Sequence, residues 1–263
     1  MFIIGELING MYQDIGKAIK DKDKPAIQEC ALKQIKAGAD ALDINCGPAS
    51  KDPVTDIKWL VETVQEVTDK PLALDSSKPG VIESGLKVIK NKAIINSTTA
   101  DQQKLDILIP LAKQYGAKLI GLTISTKGVP QTKDQRLELA AMIISSASDK
   151  GFPPQDLYID PIVLPVNVAQ AQMPDIIESI HEFKIVCEPP VNTIVGLSNV
   201  SQGTQARNLI NRTFLVMAVT RGLDAAILDP LDRELMDAAI TAELILNKQI
   251  YCDSYLDAYR KKS

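Results

Sequence analysis

The stretch AIINSTTADQQKLDILIPLAKQYGAKLIGLT, Ala93 to Thr123, decides the fold. It opens on a short aliphatic run, Ala93 to Ser97, and continues through a longer amphipathic segment. It then turns at Gly116-Ala117 into a second aliphatic run, Lys118 to Thr123. Short β-type runs alternating with amphipathic segments are the pattern of βα units feeding a parallel sheet. The same unit recurs outward in both directions. The other strand candidates are Phe2 to Leu7, Ala41 to Asn45, Leu72 to Asp75, Leu157 to Pro161, Thr193 to Ser198 and Ala225 to Asp229. Eight α/β units spaced roughly 30 residues apart predict a closed (β/α)8 TIM barrel. A doubly wound open sheet uses the same units, but no Gly-x-Gly-x-x-Gly follows the first strand. Polar residues also end nearly every strand instead of gathering at one switch point.

Between the strands, Asp134 to Lys150 predicts a helix with Leu137, Ala140, Ala141, Ile144 and Ala147 on its buried stripe. Arg207 to Val219 predicts another, with Leu209, Phe214 and Met217. Gly38-Ala39, Gly116-Ala117 and Gly222-Leu223 fit glycine C-caps followed by re-entry into a strand. No linker or low-complexity tract divides the chain, and its 45% hydrophobic content runs from Phe2 to Ile250, so residues 1–263 are expected to form one domain. The tail from Tyr251 to Ser263 lies beyond the eighth unit and is expected to pack on the barrel or at a dimer interface.

A formal net charge of −4 argues against a nucleic-acid partner, which would need a basic face. The short Lys-rich stretches Asp21 to Lys24 and Arg260 to Lys262 read as solvated. The first strand candidate starts at Phe2 and no apolar run approaches the roughly 20 residues of a membrane span, so a cytoplasmic protein is expected. Cys30, Cys46, Cys187 and Cys252 are widely separated, with no Cys-x-x-Cys and a single histidine, His181. They read as reduced, buried thiols and not as a metal site, with Cys46 the one nearest a strand end.

The strand ends carry the chemistry. Glu6, Asn9, Asp43, Asn45, Asp75, Asn96, Thr123, Asp160, Ser198, Asn199 and Asp229 finish runs that are otherwise nearly all aliphatic. In a barrel these ends converge on one mouth. Asp and Asn at single positions are ordinary turn formers and N-caps, but the whole set is not explained that way. No Gly-x-Ser-x-Gly elbow, activating histidine or strand-end lysine supports nucleophilic catalysis. Asp43, Asp75, Asp160 and Asp229 could bind Mg²⁺ only in a substrate-bridged site, since imidazole ligands and a phosphate-cradling loop are missing. Carboxylates and amides together suit a flat heterocycle rich in N–H and C=O groups, such as a pterin or a purine.

Six motifs, in order, resemble those of the pterin-binding methyltransferases. They are Gly5-Glu6-x-Ile8-Asn9-Gly10, Leu42-Asp43-Ile44-Asn45-x-Gly47-Pro48, Leu74-Asp75-Ser76, Ile95-Asn96-Ser97-Thr98, Tyr158-Ile159-Asp160-Pro161 and Gly196-Leu197-Ser198-Asn199-Val200-Ser201. Among that family the chain resembles the methyltetrahydrofolate:corrinoid/iron–sulfur protein methyltransferases of the acetyl-CoA pathway. The folate domain of cobalamin-dependent methionine synthase is more distant. The likeness extends to Asn211-Arg212-Thr213-Phe214 and Tyr251-Cys252-Asp253-Ser254. Leu7 departs from it, standing where these enzymes usually have arginine.

The resemblance implies transfer of the N5 methyl group of 5-methyltetrahydrofolate to the Co(I) centre of a corrinoid, with no metal held by the chain itself. Asp75, Asn96 and Asp160 would hold the pterin. Gly196, Ser198, Gln202 and Ile227 would line its pocket, Arg207 would sit nearby, and Asn199 would reach N5. Met11 and Tyr12 would face the arriving corrinoid. Breaking the C–N bond leaves charge on N5, so Asn199 is expected to donate a hydrogen bond there while Asp75, Asp160 and water relay a proton. No Asp-x-His-x-x-Gly motif is present, so the cobalamin is expected on a partner, a corrinoid/iron–sulfur protein, and the resemblance implies a homodimer. The rivals are a dihydropteroate synthase-like condensation, which needs an Arg and His cluster near the last strand, and a non-catalytic pterin-binding or corrinoid-docking module.

Overall fold

The structure, a computed structural model, describes residues 1–48 and 50–260. Lys261 and Lys262 of the basic tail and Ser263 lie outside the described residues. Eight parallel strands close into a barrel in sequence order: β1 (Phe2–Asn9), β2 (Ala41–Asn45), β3 (Leu72–Asp75), β4 (Ala93–Thr99), β5 (Lys118–Leu122), β6 (Leu157–Asp160), β7 (Asn192–Gly196) and β8 (Ala225–Leu228). Closure is made by β1 pairing with β8, Ile4 opposite Ile227. The helices are α1 (Gln13–Asp21), α2 (Lys24–Lys36), α3 (Pro53–Gln65), α4 (Pro79–Leu86), α5 (Gln102–Tyr115), α6 (Lys133–Asp149), α7 (Val166–Ala169), α8 (Met173–Phe183), α9 (Arg207–Thr220), α10 (Arg233–Ile245) and α11 (Tyr255–Arg260).

The quoted unit shows why these elements start and stop where they do. The Asp101 carboxylate caps α5 by accepting from the amides of Gln103 and Lys104, which satisfies donors that have no partner inside the helix. Gly116 ends the helix at φ +59, a conformation that costs glycine nothing. Gly38 and Gly222 likewise have positive φ.

Successive strand residues point to opposite faces. The outward-facing set, with Leu42, Ile44, Leu72, Leu74, Ile95 and Leu119, packs under the helices. The inward-facing set supplies one residue per strand to an interior layer: Ile4, Ala41, Ala73, Ile94, Ile120, Tyr158, Ile194 and Ala225. Burying an aliphatic side chain of this size stabilises by ~1.5–3 kcal/mol.

Three sequence expectations are corrected. On α6 the buried face is Arg136, Ala140, Ile143, Ser146 and Ala147, and Ala141 is exposed. A Thr132–Gln135 capping box starts the helix, and a fully buried arginine takes a core position that apolar periodicity does not show. On α9, Phe214 is buried, but Leu209 and Met217 are exposed, because the core-facing stripe is Asn211, Phe214, Leu215, Ala218 and Val219. Of the four thiols only Cys46 is buried, while Cys252 is exposed where the chain leaves the barrel wall. The described part of the tail lies against α10, with the Tyr255 hydroxyl 3.0 Å from Thr241 Oγ1. Among the described residues, no helix is long and apolar enough to cross a membrane.

Candidate active site

Two residues beyond each member of the interior layer, every strand places one more inward-facing residue. The resulting ring is Glu6, Asp43, Asp75, Asn96, Leu122, Asp160, Gly196 and Ile227. Four of these are carboxylic acids. A two-residue step keeps a side chain on the same face of a strand, so these residues fill the barrel one step nearer the carboxyl ends of the strands. Register sets Asp75 beside Asn96, Leu122 beside Asp160 and Gly196 beside Ile227, whereas Asp43 is paired with Ala73, Asn96 with Ile120 and Ile227 with Ile4, the two-residue stagger of a tilted barrel.

Hydrogen bonds orient the ring. Asn96 Nδ2 donates to Asp43 Oδ1 at 3.0 Å, which leaves the Asn96 carbonyl oxygen as an acceptor. Asn45 Nδ2 donates to Asp75 Oδ2 at 2.6 Å. Asp160 Oδ1 accepts from the Ile162 amide at 2.7 Å, and its main-chain carbonyl accepts from Thr123 Oγ1 at 2.9 Å. Thr123 thus acts on the backbone of β6. Ser198 Oγ donates to Glu6 Oε1 at 2.7 Å, tying the turn after β7 to β1.

The acids are electrostatically loaded. Burial, then the charge of Asp75, pushes the Asp43 carboxyl well above the usual range, while the Asn96 amide opposes this. Burial also raises Asp75, against the Asn45 hydrogen bond. Asp160 is pushed up to about 7 by burial, opposed by the amides of Ile162 and Gly196. Glu6 is raised by burial and by Asp229, with Ser198 and Arg207 pulling it down. The positive charge acting on Glu6 is therefore that of Arg207 on α9. Leu7, at the position of the family arginine, uses its amide to reach Gln34 Oε1 at 3.0 Å.

Beyond β7, Leu197–Ser201 form one 3-10 turn that carries Ser198 and Asn199. The Gln202 amide closes it on the Asn199 carbonyl at 3.2 Å. A Cβ on Gly196 would stand 3.0 Å from Asn199 Nδ2, so the glycine lets that amide lie against the strand end. Arg207 Nε donates to Ser201 Oγ at 3.2 Å. Beside the ring a cavity of about 560 Å³ is lined by Glu6, Tyr12, Ser198, Arg207, Asp229 and Arg233. In it the Tyr12 phenol is pushed up to about 12 by burial and by the charge of Glu6. Met11, its neighbour in the loop after β1, is 71% exposed.

A buried ring that offers several carboxyl groups and a fixed amide suits a planar ring system with mixed donors and acceptors. The model of the pterin binding enzymes matches residues 14–229. The chain belongs to the pterin-binding enzyme family.

A curated relative of this pterin-binding enzyme, the methylcorrinoid:tetrahydrofolate methyltransferase of Eubacterium limosum, is 31% identical, over 99% of this chain and 97% of that one. The methionine synthase of Mycobacterium tuberculosis is 28% identical over 86% of this chain, which spans 20% of it. A dihydropteroate synthase structure from Coxiella burnetii, in complex with pteroic acid, superposes with a TM-score of 0.71 at 15% identity, covering 94% of each chain, and so shares the barrel fold.

Of the residues singled out from the sequence, the ring contains Asp75, Asn96, Asp160, Gly196 and Ile227. Ser198, Asn199, Gln202 and Arg207 gather on the segment after β7, and Met11 and Tyr12 stand on the loop after β1. Glu6 and Asp43 were named from the sequence among the strand-end residues but given no pterin-binding role, and Leu122 was not singled out, although each is two residues from an inward-facing aliphatic or alanine. His181 is exposed in the last turn of α8.

Proposed function

We propose that this enzyme is a methyltransferase that moves a methyl group between N5 of tetrahydrofolate and the cobalt of a corrinoid. The inward ring of Asp75, Asn96 and Asp160 carries this reading, in a chain similar along its whole length to a methylcorrinoid:tetrahydrofolate methyltransferase. In one direction the C–N5 bond breaks with its electron pair left on N5. The methyl group goes to Co(I), and a proton must reach N5. In the other direction tetrahydrofolate gives up that proton as N5 accepts the methyl group. Asp75, Asp160 and the Asn96 carbonyl hold the pterin. Gly196 and Ile227 form the floor, with Ser198 on the adjacent turn, Gln202 at its end and Arg207 at the start of α9. Asn199 donates to N5 as charge develops, a type of contact worth about 10²–10³ in rate.

Met11 and Tyr12 flank the mouth, where a corrinoid carried by a separate protein approaches. A corrinoid/iron–sulfur protein of the acetyl-CoA pathway is the partner favoured by the sequence motifs, and the tail and outer helices offer a surface for a homodimer. Mixing the protein with 5-methyltetrahydrofolate and reduced cobalamin, free or on a corrinoid protein, should bleach the Co(I) absorption band. Methylcobalamin with tetrahydrofolate tests the reverse reaction. No change in either direction, with folate bound, would leave only a binding role.

A further inference from the structure

The peptide unit joining Pro161 to Ile162 is gripped from both sides of the barrel wall. Outside, Arg136 of α6 is fully buried, and its Nε donates to the Pro161 carbonyl at 2.9 Å. Its other nitrogens reach the Thr132 carbonyl at 3.2 Å and Gln172 Oε1 at 3.0 Å. Inside, the Ile162 amide of the same peptide unit donates to Asp160 Oδ1 at 2.7 Å. A trans peptide is planar, with C=O and N–H pointing in opposite directions, so pinning the carbonyl also aims the amide. The need for a pin is visible in the backbone. Ile162 sits at φ +63, which a β-branched residue avoids at a cost of about 1–3 kcal/mol unless its surroundings impose it. Rotation of this one peptide unit would relieve it, and would take the N–H away from Asp160.

We infer that Arg136 is a positioning residue for pterin recognition: by holding the Pro161 carbonyl it keeps the Ile162 amide on Asp160 and so fixes which carboxylate oxygen is left for the substrate. The inference rests on the reading of Asp160 as a pterin-binding group. Burying a guanidinium is costly, and three well-placed acceptors offset that cost here. The charged groups on the outer side are Asp175 of α8, which acts on Arg136, and the Lys133–Glu182 pair. On the inner side, Asp160 meets the amides of Ile162 and Gly196, and the other acids of the ring are Glu6, Asp43 and Asp75.

The test is folate binding measured by calorimetry from pH 5.5 to 8.5 in the parent protein, Arg136→Met, Arg136→Lys and Asp160→Asn. Losing the Ile162 amide should raise the proton affinity of Asp160. In both Arg136 variants the acid limb of binding should then move up by about one pH unit, with binding about fivefold weaker near pH 7, about tenfold weaker below pH 6, and recovery above pH 8. Should Arg136→Met fail to fold, Arg136→Lys carries the same reading, since one ammonium cannot hold all three acceptors. Ile162→Gly added to either variant removes the steric penalty at positive φ and should bring the limb back toward that of the parent, which a packing role would not do. Superimposed pH profiles, with Asp160→Asn still failing to bind, overturn the inference alone. Parent-like binding by Asp160→Asn overturns the reading of Asp160 and the inference with it.

Discussion

Asn96 and Asp43 meet across the strand that separates them: the Asn96 amide of β4 donates to the Asp43 carboxyl of β2 at 3.0 Å, over β3. Alternate strands of such a barrel contribute to one layer of the filling, so residues two strands apart share a level. The bond settles the orientation of Asn96 and supplies a donor to a deeply buried acid.

Asn96→Ala should therefore have two effects. It removes an acceptor from the proposed pterin site, and it leaves Asp43 buried without its donor, at a cost of about 1–3 kcal/mol. Urea unfolding should report that loss in the parent background and much less of it in an Asp43→Leu background, and calorimetry should show weaker folate binding. Equal losses in both backgrounds would contradict the coupling.

Asn199→Ala should lower kcat about 10²–10³-fold while folate affinity changes only a few-fold, because the proposed contact with N5 would strengthen as N5 gains charge. Gly196→Ala should act on the same step more mildly. Its methyl group would press on Asn199 Nδ2, 3.0 Å away, and single-turnover rates should fall with melting temperature little changed.

For Asp160 the pH dependences of binding and stability should run in opposite directions. Its folded-state value is raised to about 7 against an unfolded value near 3.9, so the folded state binds the extra proton. Its stabilising contribution is full below about pH 4 and is lost as pH rises toward 7. A carboxylate accepting from pterin N–H groups must be ionised, so folate affinity should rise over that upper range. Asp160→Asn should flatten the pH dependence of the melting temperature and lose most folate binding. A variant that binds folate as the parent does would refute the assignment.

Gly10→Ala should destabilise the mouth of the barrel. A Cβ at Gly10 would stand 2.3 Å from the Cys46 carbonyl oxygen, a main-chain atom that cannot yield without moving a strand end. Overpacking of this kind costs about 1–3 kcal/mol. Thermal unfolding followed by circular dichroism should show it, whereas Gly80→Ala, in the first turn of α4 with open space around it, should not destabilise.

The strands and the polar rim were readable because short aliphatic runs and their polar endings are local signals. The helix faces were less so. Arg136 looks like a surface residue until its three acceptors are brought around it, and Leu209 and Met217 look like core until α9 is seen to turn Asn211 and Leu215 inward. Glu6 and Asp43 were visible as strand-end acids. Their place in the ring follows from counting two residues beyond Ile4 and Ala41, a count that needs the inward face to be known.

The sequence by itself determined the repeated βα unit, the number of strands, and the set of carboxylates and amides at their ends, since hydrophobic spacing and capping residues act over a few neighbours. Only the tertiary structure decided which of those groups meet. Glu6 and Ser198 lie 192 positions apart, and Asp43 and Asn96 lie 53 apart. Barrel closure, through strand register and the pairing of β1 with β8, is what brings each pair within hydrogen-bond reach.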